Sequence, residues 1–454
     1  MKVLLINPAF FDEWEFKNRY HDFLDWVKGG NLYVAPFEPP LGLAYLSAYL
    51  KGKGHLVKLL DMQGLLMDST ELIKTIANEN LDLIGITAMT TTFPAAIKVA
   101  QLARQVSPAA KIVFGGVHPT LDPAGTLAYD CVDYCVRGEG EKALDGLINA
   151  LNHQGSLEEV EGLCFRDGDR LIIKEKTVIE DQDIIPMPDY DAFPVELYIK
   201  HNEYLRNIRG ISMLISRGCP FPCTFCAVHQ TMGRKWRVKS PHLVVNEIIT
   251  ARDRYNLEGI WFKDSIFNLN PAWTKEFSQR MIERKANLIW QANTRIDLID
   301  EEELKQMKKA GLVQLDLGIE TGSKRSLDRL QKKITIEQIK EKVKLAKKYV
   351  KVFGFFMIGI PGEEEVDVHD TFELAKELEL DRSTWSIYSP LPGSILYEEL
   401  VNQGHIQPYG LNFEEIHFTK AYEGVCNIPS QRLSELYHEI NNYFYKNQTA
   451  QPAG

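Results

Sequence analysis

The stretch Ser216–Arg237, SRGCPFPCTFCAVHQTMGRKWR, decides how the rest of this 454-residue chain is read. Cys219, Cys223 and Cys226 are separated by three and then two residues, and the nearest other cysteines are Cys164 and Cys426. Iron–sulfur clusters are normally held by four cysteines, so three in one loop leave one iron free to bind something else. An open metal position is a position for chemistry. Gly218 permits unusual backbone angles beside the first cysteine, while Pro220 and Pro222 fix φ between the first two, so the segment reads as a tight wrap. A structural zinc site is the competing reading, because His229 follows Cys226 by three and Cys3His is a known zinc set. Zinc fingers usually place their ligands in two separated pairs, whereas these thiols crowd into eight residues.

Composition sets the frame. Hydrophobic residues at 44% and charged residues at 25% are those of an ordinary globular protein, and the length suits two domains with an appendage. A formal net charge of −10 argues against broad binding to nucleic acid or to anionic membranes, which need a basic surface. Seven cysteines, three of them in one loop, do not form a disulfide framework, so a reducing compartment, the cytoplasm, is expected. No run of 18 or more apolar residues is present to span a bilayer, and MKVLLINPAF is too short an apolar run for a signal peptide.

Working outward toward the N-terminus, KVLLINP (2–8), HLVKLLD (55–61), LDLIGITAM (81–89), KIVFGGVH (111–118) and CVDYCVRG (131–138) read as buried parallel strands. A polar, aromatic-rich insertion follows the first of them, through Gly30. Residues 38–55 and 93–107 have helical apolar spacing between strands. This alternation predicts an α/β, doubly wound parallel sheet over residues 1–150, with ligands bound beyond the carboxyl ends of the strands. Residues 151–209 read as a linker with a hairpin around Asp167-Gly168-Asp169 and a proline-rich stretch, IPMPDYDAFP (185–194).

Beyond Ile211 a second alternation begins, in which ISMLISRG, GIWFKDS, LIWQANTR, LVQLDLGIET, KVFGFFMIG and STWSIYSPL read as six parallel strands over residues 210–400. Barrels of such strands carry their chemistry at the carboxyl ends, where the sequence puts the three cysteines, Asp264, Asn293, Arg295, Glu320 to Gly322, Gly359 to Gly362 and Ser389 to Gly393. In GIETGS (318–323) a polar strand end opens a helix; capping by Thr321 or Ser323 is the plainer role for these residues. The tail, 401–454, contains a helix-like QRLSELYHEINNYFYKN, whose aromatic spacing suits packing against the barrel, and ends in QTAQPAG, which reads as disordered.

With these motifs in hand, the Cys-x3-Cys-x2-Cys loop, with Phe225 before its last cysteine, resembles the signature of the radical S-adenosylmethionine (SAM) superfamily. MIGIPGE (357–363) and SPLPGS (389–394) are similar to that family as well. The resemblance implies a partial (β/α)6 barrel, a 4Fe-4S cluster on Cys219, Cys223 and Cys226, and SAM on the open iron, cleaved by electron transfer to a 5′-deoxyadenosyl radical. It implies SAM contacts from Phe225, Arg237, Asp264, Arg295, Glu320 and Gly322, with Gln291 a further candidate. Where the family commonly has two acids at the second strand end, this chain has Asp264 and Ser265.

PPLGLAYL (39–46), the turn at Thr87, GGVHPT (115–120) and VRGEGE (136–141) resemble the cobalamin-binding domain that precedes many radical SAM enzymes. That resemblance places a corrinoid against Thr87, Ala88, Met89, Thr90, Gly115, Gly116, Val117 and Gly138. The loop Asp-x-His-x-x-Gly, whose histidine replaces the nucleotide base on cobalt, has no match after the first strand, and His21 lies in the insertion without that pattern. No histidine nitrogen on cobalt is therefore expected. What the resemblance implies is a cobalamin-dependent radical SAM enzyme, foremost a methyltransferase acting on an unactivated carbon of a small-molecule or natural-product substrate, with a flavodoxin or ferredoxin as electron donor. A cyclase or rearrangement enzyme without methyl transfer is the alternative, and a corrinoid- or cluster-binding sensor is the non-enzyme alternative.

Overall fold

The computed structural model describes residues 1–9, 38–65, 67–200, 208–407 and 418–449. The aromatic insertion with His21, and residues 450–454 of the terminal QTAQPAG, lie outside the described residues. The chain forms two compact units, which are taken separately.

The first unit is built on a seven-stranded sheet in the order β2-β1-β3-β4-β5-β6-β7. Its strands are β1 (Lys2–Asn7), β2 (Leu56–Asp61), β3 (Leu83–Thr87), β4 (Lys111–Gly115), β5 (Tyr134–Val136), β6 (Leu163–Asp167) and β7 (Arg170–Ile172). The first five are parallel and follow the doubly wound order 2-1-3-4-5, in which the winding reverses between β1 and β3. The hairpin β6–β7, which the sequence places in a linker, adds two antiparallel strands to this sheet beside β5. The difference has a simple cause. Cys164 and Phe165 are buried apolar residues opposite Cys135 and Tyr134, so the hairpin covers an edge that the short β5 leaves open.

Continuous apolar runs such as Val3–Ile6 are buried on both faces, as strands between two helical layers must be. On one face, Val3, Leu5, Val57, Leu83 and Val113 form one core with Leu43 and Leu50 of α1 (Leu41–Gly52) and Leu144, Leu147 and Ile148 of the helix Gly140–Leu151. Gly85 lacks a side chain because a Cβ there would lie 2.8 Å from the Leu5 methyl. The opposite layer has α2 (Ser69–Ala77) and α3 (Phe93–Val106), and Phe93 at the start of α3 meets Phe114 of β4 edge-on. α2 begins at a capping box, in which the Asp68 carboxylate accepts from the Glu71 amide at 2.9 Å and Glu71 accepts from the Asp68 amide at 3.2 Å.

The second unit holds six parallel strands in unbroken spatial order: β8 (Gly210–Met213), β11 (Gly259–Phe262), β12 (Ile289–Thr294), β13 (Leu312–Glu320), β14 (Lys351–Ile358) and β15 (Arg382–Ile387). The short strands β9 (Ser216–Arg217) and β10 (Arg237–Val238) form a separate antiparallel ribbon. β8 and β15 end the sheet, so it is an open half-barrel. The terminal helix Ser430–Thr449 covers β15, with the Phe444 ring stacked on Trp385 at 5.5 Å. The tail thus packs on the barrel's edge strand, as its aromatic spacing implies.

His118 lies just past β4 in the first unit, buried, with its ring stacked on Phe93 at 3.9 Å. Burial pushes its pKa down from 6.5 to about 4. Between those values the unfolded chain binds a proton that the folded chain refuses, so this contribution to stability is complete above pH 6.5 and lost as pH falls toward 4, about 3 kcal/mol in all. Urea unfolding of the full chain at pH 7 and pH 4.5 should show His118→Asn losing less stability over that interval than wild type. Equal losses would assign the acid sensitivity to other groups.

Candidate functional site

The cysteine loop leaves β9 and returns at β10, whose ribbon pairs Arg217 with Arg237 and Ser216 with Val238. Gly218 takes φ 87°, the left-handed turn that starts the wrap. Thr224, between the second and third cysteines, fixes the loop from inside. Its amide donates to Leu330 O at 3.1 Å, its hydroxyl to Arg329 O at 2.8 Å, and its carbonyl accepts from the Leu396 amide at 3.0 Å. The Cys226 amide donates to Cys223 O at 3.3 Å. Cys223 is buried and Cys219 and Cys226 are partly so. Among the described residues, no group of three or more His, Cys, Asp or Glu side chains is placed to hold a metal ion.

Burial raises all three thiol pKa values, that of Cys226 to about 11. Ligation requires thiolates, and two cations oppose the burial at Cys219 and Cys223, namely Arg295 and Lys332. Arg295, one residue past β12, is buried with its guanidinium over the Phe221 ring at 3.8 Å and Nη1 3.5 Å from Cys223 Sγ. Its Nε pairs with Asp297 Oδ1 at 2.9 Å, and its Nη2 donates to Lys332 O at 2.7 Å.

Glu320 ends β13 beyond a bulge, at φ 71°, and its Oε1 accepts from Lys332 Nζ at 2.9 Å. A Cβ on Gly318 below it would stand 2.5 Å from Glu320 Oε1 and 2.9 Å from Lys332 Nζ, so a side chain there would have to displace this pair. Three thiols, Arg295, Lys332 and Glu320 are thus brought together by the ends of β12 and β13, the cysteine loop, and the segment between the helices Lys324–Arg329 and Ile336–Lys347. Lys332 had no signal in the sequence beyond its place in the run Gln331-Lys332-Lys333.

Other expected SAM residues are placed differently. Asp264 is fully buried, and its Oδ1 accepts from the Ile215 amide at 3.1 Å, the Ser216 amide at 2.5 Å and the Ser216 hydroxyl at 2.5 Å. Burial raises its pKa to about 7. In this structure it fastens the entry to the cysteine loop onto β11. Gly322 packs against the helix Glu365–Leu378, where a Cβ would meet Asp370 O at 2.5 Å and Thr371 Cα at 2.8 Å, so close helix approach alone is enough to require this glycine. Arg237 is buried in the β9–β10 ribbon, and Phe225 packs at the margin of a core containing Leu330, Met357, Tyr388 and Leu396. Gln291 is buried at the register of Trp261 and Gln314.

Asp316, which sequence reasoning passed over, is buried on the same face of β13 as Gln314, whose amide donates to its Oδ1 at 2.7 Å. Burial raises its pKa to about 6. The signal was available: an acid in the middle of the apolar strand LVQLDLGIE needs a buried polar partner.

In the first unit, the expected corrinoid residues sit at the carboxyl ends of β3 and β4, beside the reversal of winding, except Gly138, which lies past the end of β5. Met89 and Val117 are 52% and 36% exposed, and a Cβ on Gly115 would meet open space. An uncovered apolar shelf at that edge fits the face of a corrin ring. Ala88 and Thr90 are buried and offer little surface. Gly116, at φ 101°, is required by the Ala88 carbonyl 2.8 Å from its would-be Cβ, and Gly138, at φ 87°, by Thr177 O at 2.2 Å. Thr87 is partly buried, with its Oγ1 2.9 Å from the same Gly116 position.

The two units are a doubly wound sheet and an open half-barrel of parallel strands, and comparison with known proteins identifies both. Residues 28–148 match the B12 binding domain and residues 213–375 the radical SAM superfamily. The chain belongs to the cobalamin-binding radical SAM enzymes, whose cofactors are a 4Fe-4S cluster, SAM and cobalamin. It is 34% identical to an uncharacterised methyltransferase of Pyrococcus horikoshii over 90% of this chain and 88% of that one. It is 29% identical to the anaerobic magnesium-protoporphyrin IX monomethyl ester cyclase of Rubrivivax gelatinosus, over 92% of this chain and 72% of that one. The radical SAM methyltransferase TsrM of Kitasatospora setae, solved with tryptophan and a SAM analogue, shares the fold at a TM-score of 0.72 and 19% identity, over 88% of this chain and 76% of that one. Among the described residues no helix is long and apolar enough to cross a membrane.

If the three cysteines are the cluster ligands, anaerobically reconstituted protein holds about four irons and four sulfides, and each of Cys219→Ala, Cys223→Ala and Cys226→Ala loses reductive SAM cleavage. Iron and sulfide assays with 5′-deoxyadenosine measurement check this. Full cleavage by any of the three variants would remove that cysteine from the ligand set.

Proposed function

We propose that this enzyme is a methyltransferase that acts on an unactivated carbon of a small-molecule substrate. The reading is carried by the 34% identity to a methyltransferase over nearly the whole of both chains. In it, Cys219, Cys223 and Cys226 hold three irons of the cluster, and Glu320 and Arg295 hold the polar groups of SAM at the open iron. Met89, Val117 and the backbone at Gly115 and Gly116 seat the corrinoid. When bound, these groups supply a 5′-deoxyadenosyl radical to remove a hydrogen and a cobalt-bound methyl group to replace it.

The protein's own work is to bind, orient and exclude water. Gln291 faces Gln314 in register, Asp316 follows two residues along the same face of β13, and this polar row is our candidate surface for the substrate's polar groups. An electron donor of the flavodoxin or ferredoxin type and a cytoplasmic setting belong to the same proposal.

Cyclisation without methyl transfer is the second reading, favoured by the 29% identity to the cyclase over 92% of this chain. Turnover with trideuteromethyl SAM separates the two. A methyltransferase yields product heavier by one labelled methyl group, whereas turnover with no label in the product would establish the second reading.

A further inference from the structure

Lys332 is a lysine in a place where lysines are seldom found. It is 4% exposed, and its ammonium donates to Glu320 Oε1 at 2.9 Å and to Gly318 O at 2.5 Å. The backbone is strained to put it there. Gln331 and Lys333, on either side of it, both take left-handed φ values of 52° and 56°, and Glu320 across from it takes 71°. Non-glycine residues enter this region at a cost, and three of them around one ion pair show surrounding structure holding the pair in place. A buried ion pair is in general a poor source of stability, because desolvation offsets the attraction, so its geometry asks for another use.

The same residue reaches the cysteine loop by a second route. Its carbonyl accepts from Arg295 Nη2 at 2.7 Å, and the other arm of that guanidinium lies 3.5 Å from Cys223 Sγ. Lys332 therefore holds an acid with its side chain and an arginine with its backbone, and both lead to the loop.

We propose that Lys332 is a positioning residue that aims Glu320 and seats Arg295 on the cysteine loop, and that its buried charge sets the reduction potential of the cluster held there. This rests on the reading of Cys219, Cys223 and Cys226 as ligands, and is independent of whether the enzyme methylates or cyclises. Reduction adds a negative charge to the cluster, so a buried cation nearby favours the reduced form and a buried anion disfavours it. The two members of the pair should then act with opposite sign.

The test is a redox titration, followed by electron paramagnetic resonance, of the full-length protein loaded with cluster and cobalamin, without substrate. Lys332→Met should lower the reduced-to-oxidised ratio about tenfold at a fixed potential, which is 59 mV for one electron, toward more negative potentials. Glu320→Gln should shift it the other way, and Lys332→Arg, which keeps the charge, should stay near wild type. An unchanged potential in Lys332→Met, or shifts of the same sign in Lys332→Met and Glu320→Gln, would overturn the proposal. Should Lys332→Met fail to take up iron, Glu320→Gln decides alone, and a potential that is unchanged or more negative there refutes it. Failure of iron uptake in wild type would instead refute the ligand reading.

Discussion

Parallel strands must all end at one edge of their sheet, and this constraint decides where chemistry can be done in each unit. In the half-barrel, β11, β12, β13 and β14 each deliver a polar group to the same edge: Asp264, Arg295, Glu320 and Glu363. No single segment of sequence could carry that set. The price is a series of charged groups removed from water, each of which needs a partner. The carboxylates at positions 264 and 363 find theirs in backbone amides. Asp264 takes those of Ile215 and Ser216, and Glu363 takes those of Gly359 at 2.6 Å and Ile360 at 3.1 Å together with the Ser326 hydroxyl at 2.8 Å. Burial raises both to about pH 7. They act as staples for the loops after the strands, whereas Arg295, Lys332 and Glu320 face the thiols.

This division explains which parts were legible in the sequence. The cysteine loop is local, with its spacing and its flanking glycine and prolines written in order, so it could be read directly. Glu320 follows an apolar strand and was legible for the same reason. Lys332 was not, because a lysine beside another lysine reads as a solvated pair, and only the left-handed turns at Gln331 and Lys333 send this one inward. Those turns are imposed by tertiary packing, and neither glutamine nor lysine advertises them.

Glycines are ambiguous in sequence for a related reason. A glycine marks a close approach without saying what approaches. At 322 and 138 the neighbour is backbone from another segment of the same unit, and at 115 there is open space. The first sheet shows the matching limit for strands. Five apolar runs point to a parallel sheet, but the hairpin Leu163–Ile172 carries the signal of any hairpin, and its attachment to β5 depends on an edge that exists only once the sheet has formed.

The helix that covers β15 bears on how the chain reaches its fold. β15 ends at Ile387, and the helix whose Phe444 closes over Trp385 begins at Ser430. As the chain leaves the ribosome, the half-barrel's last strand therefore appears with its outer edge and a large indole unprotected. At roughly 5–20 residues per second that condition lasts a few seconds, during which an unpaired edge invites other chains. The terminal helix thus serves in time as well as in space, and a nascent chain stalled between these two elements would be the species most in need of a chaperone.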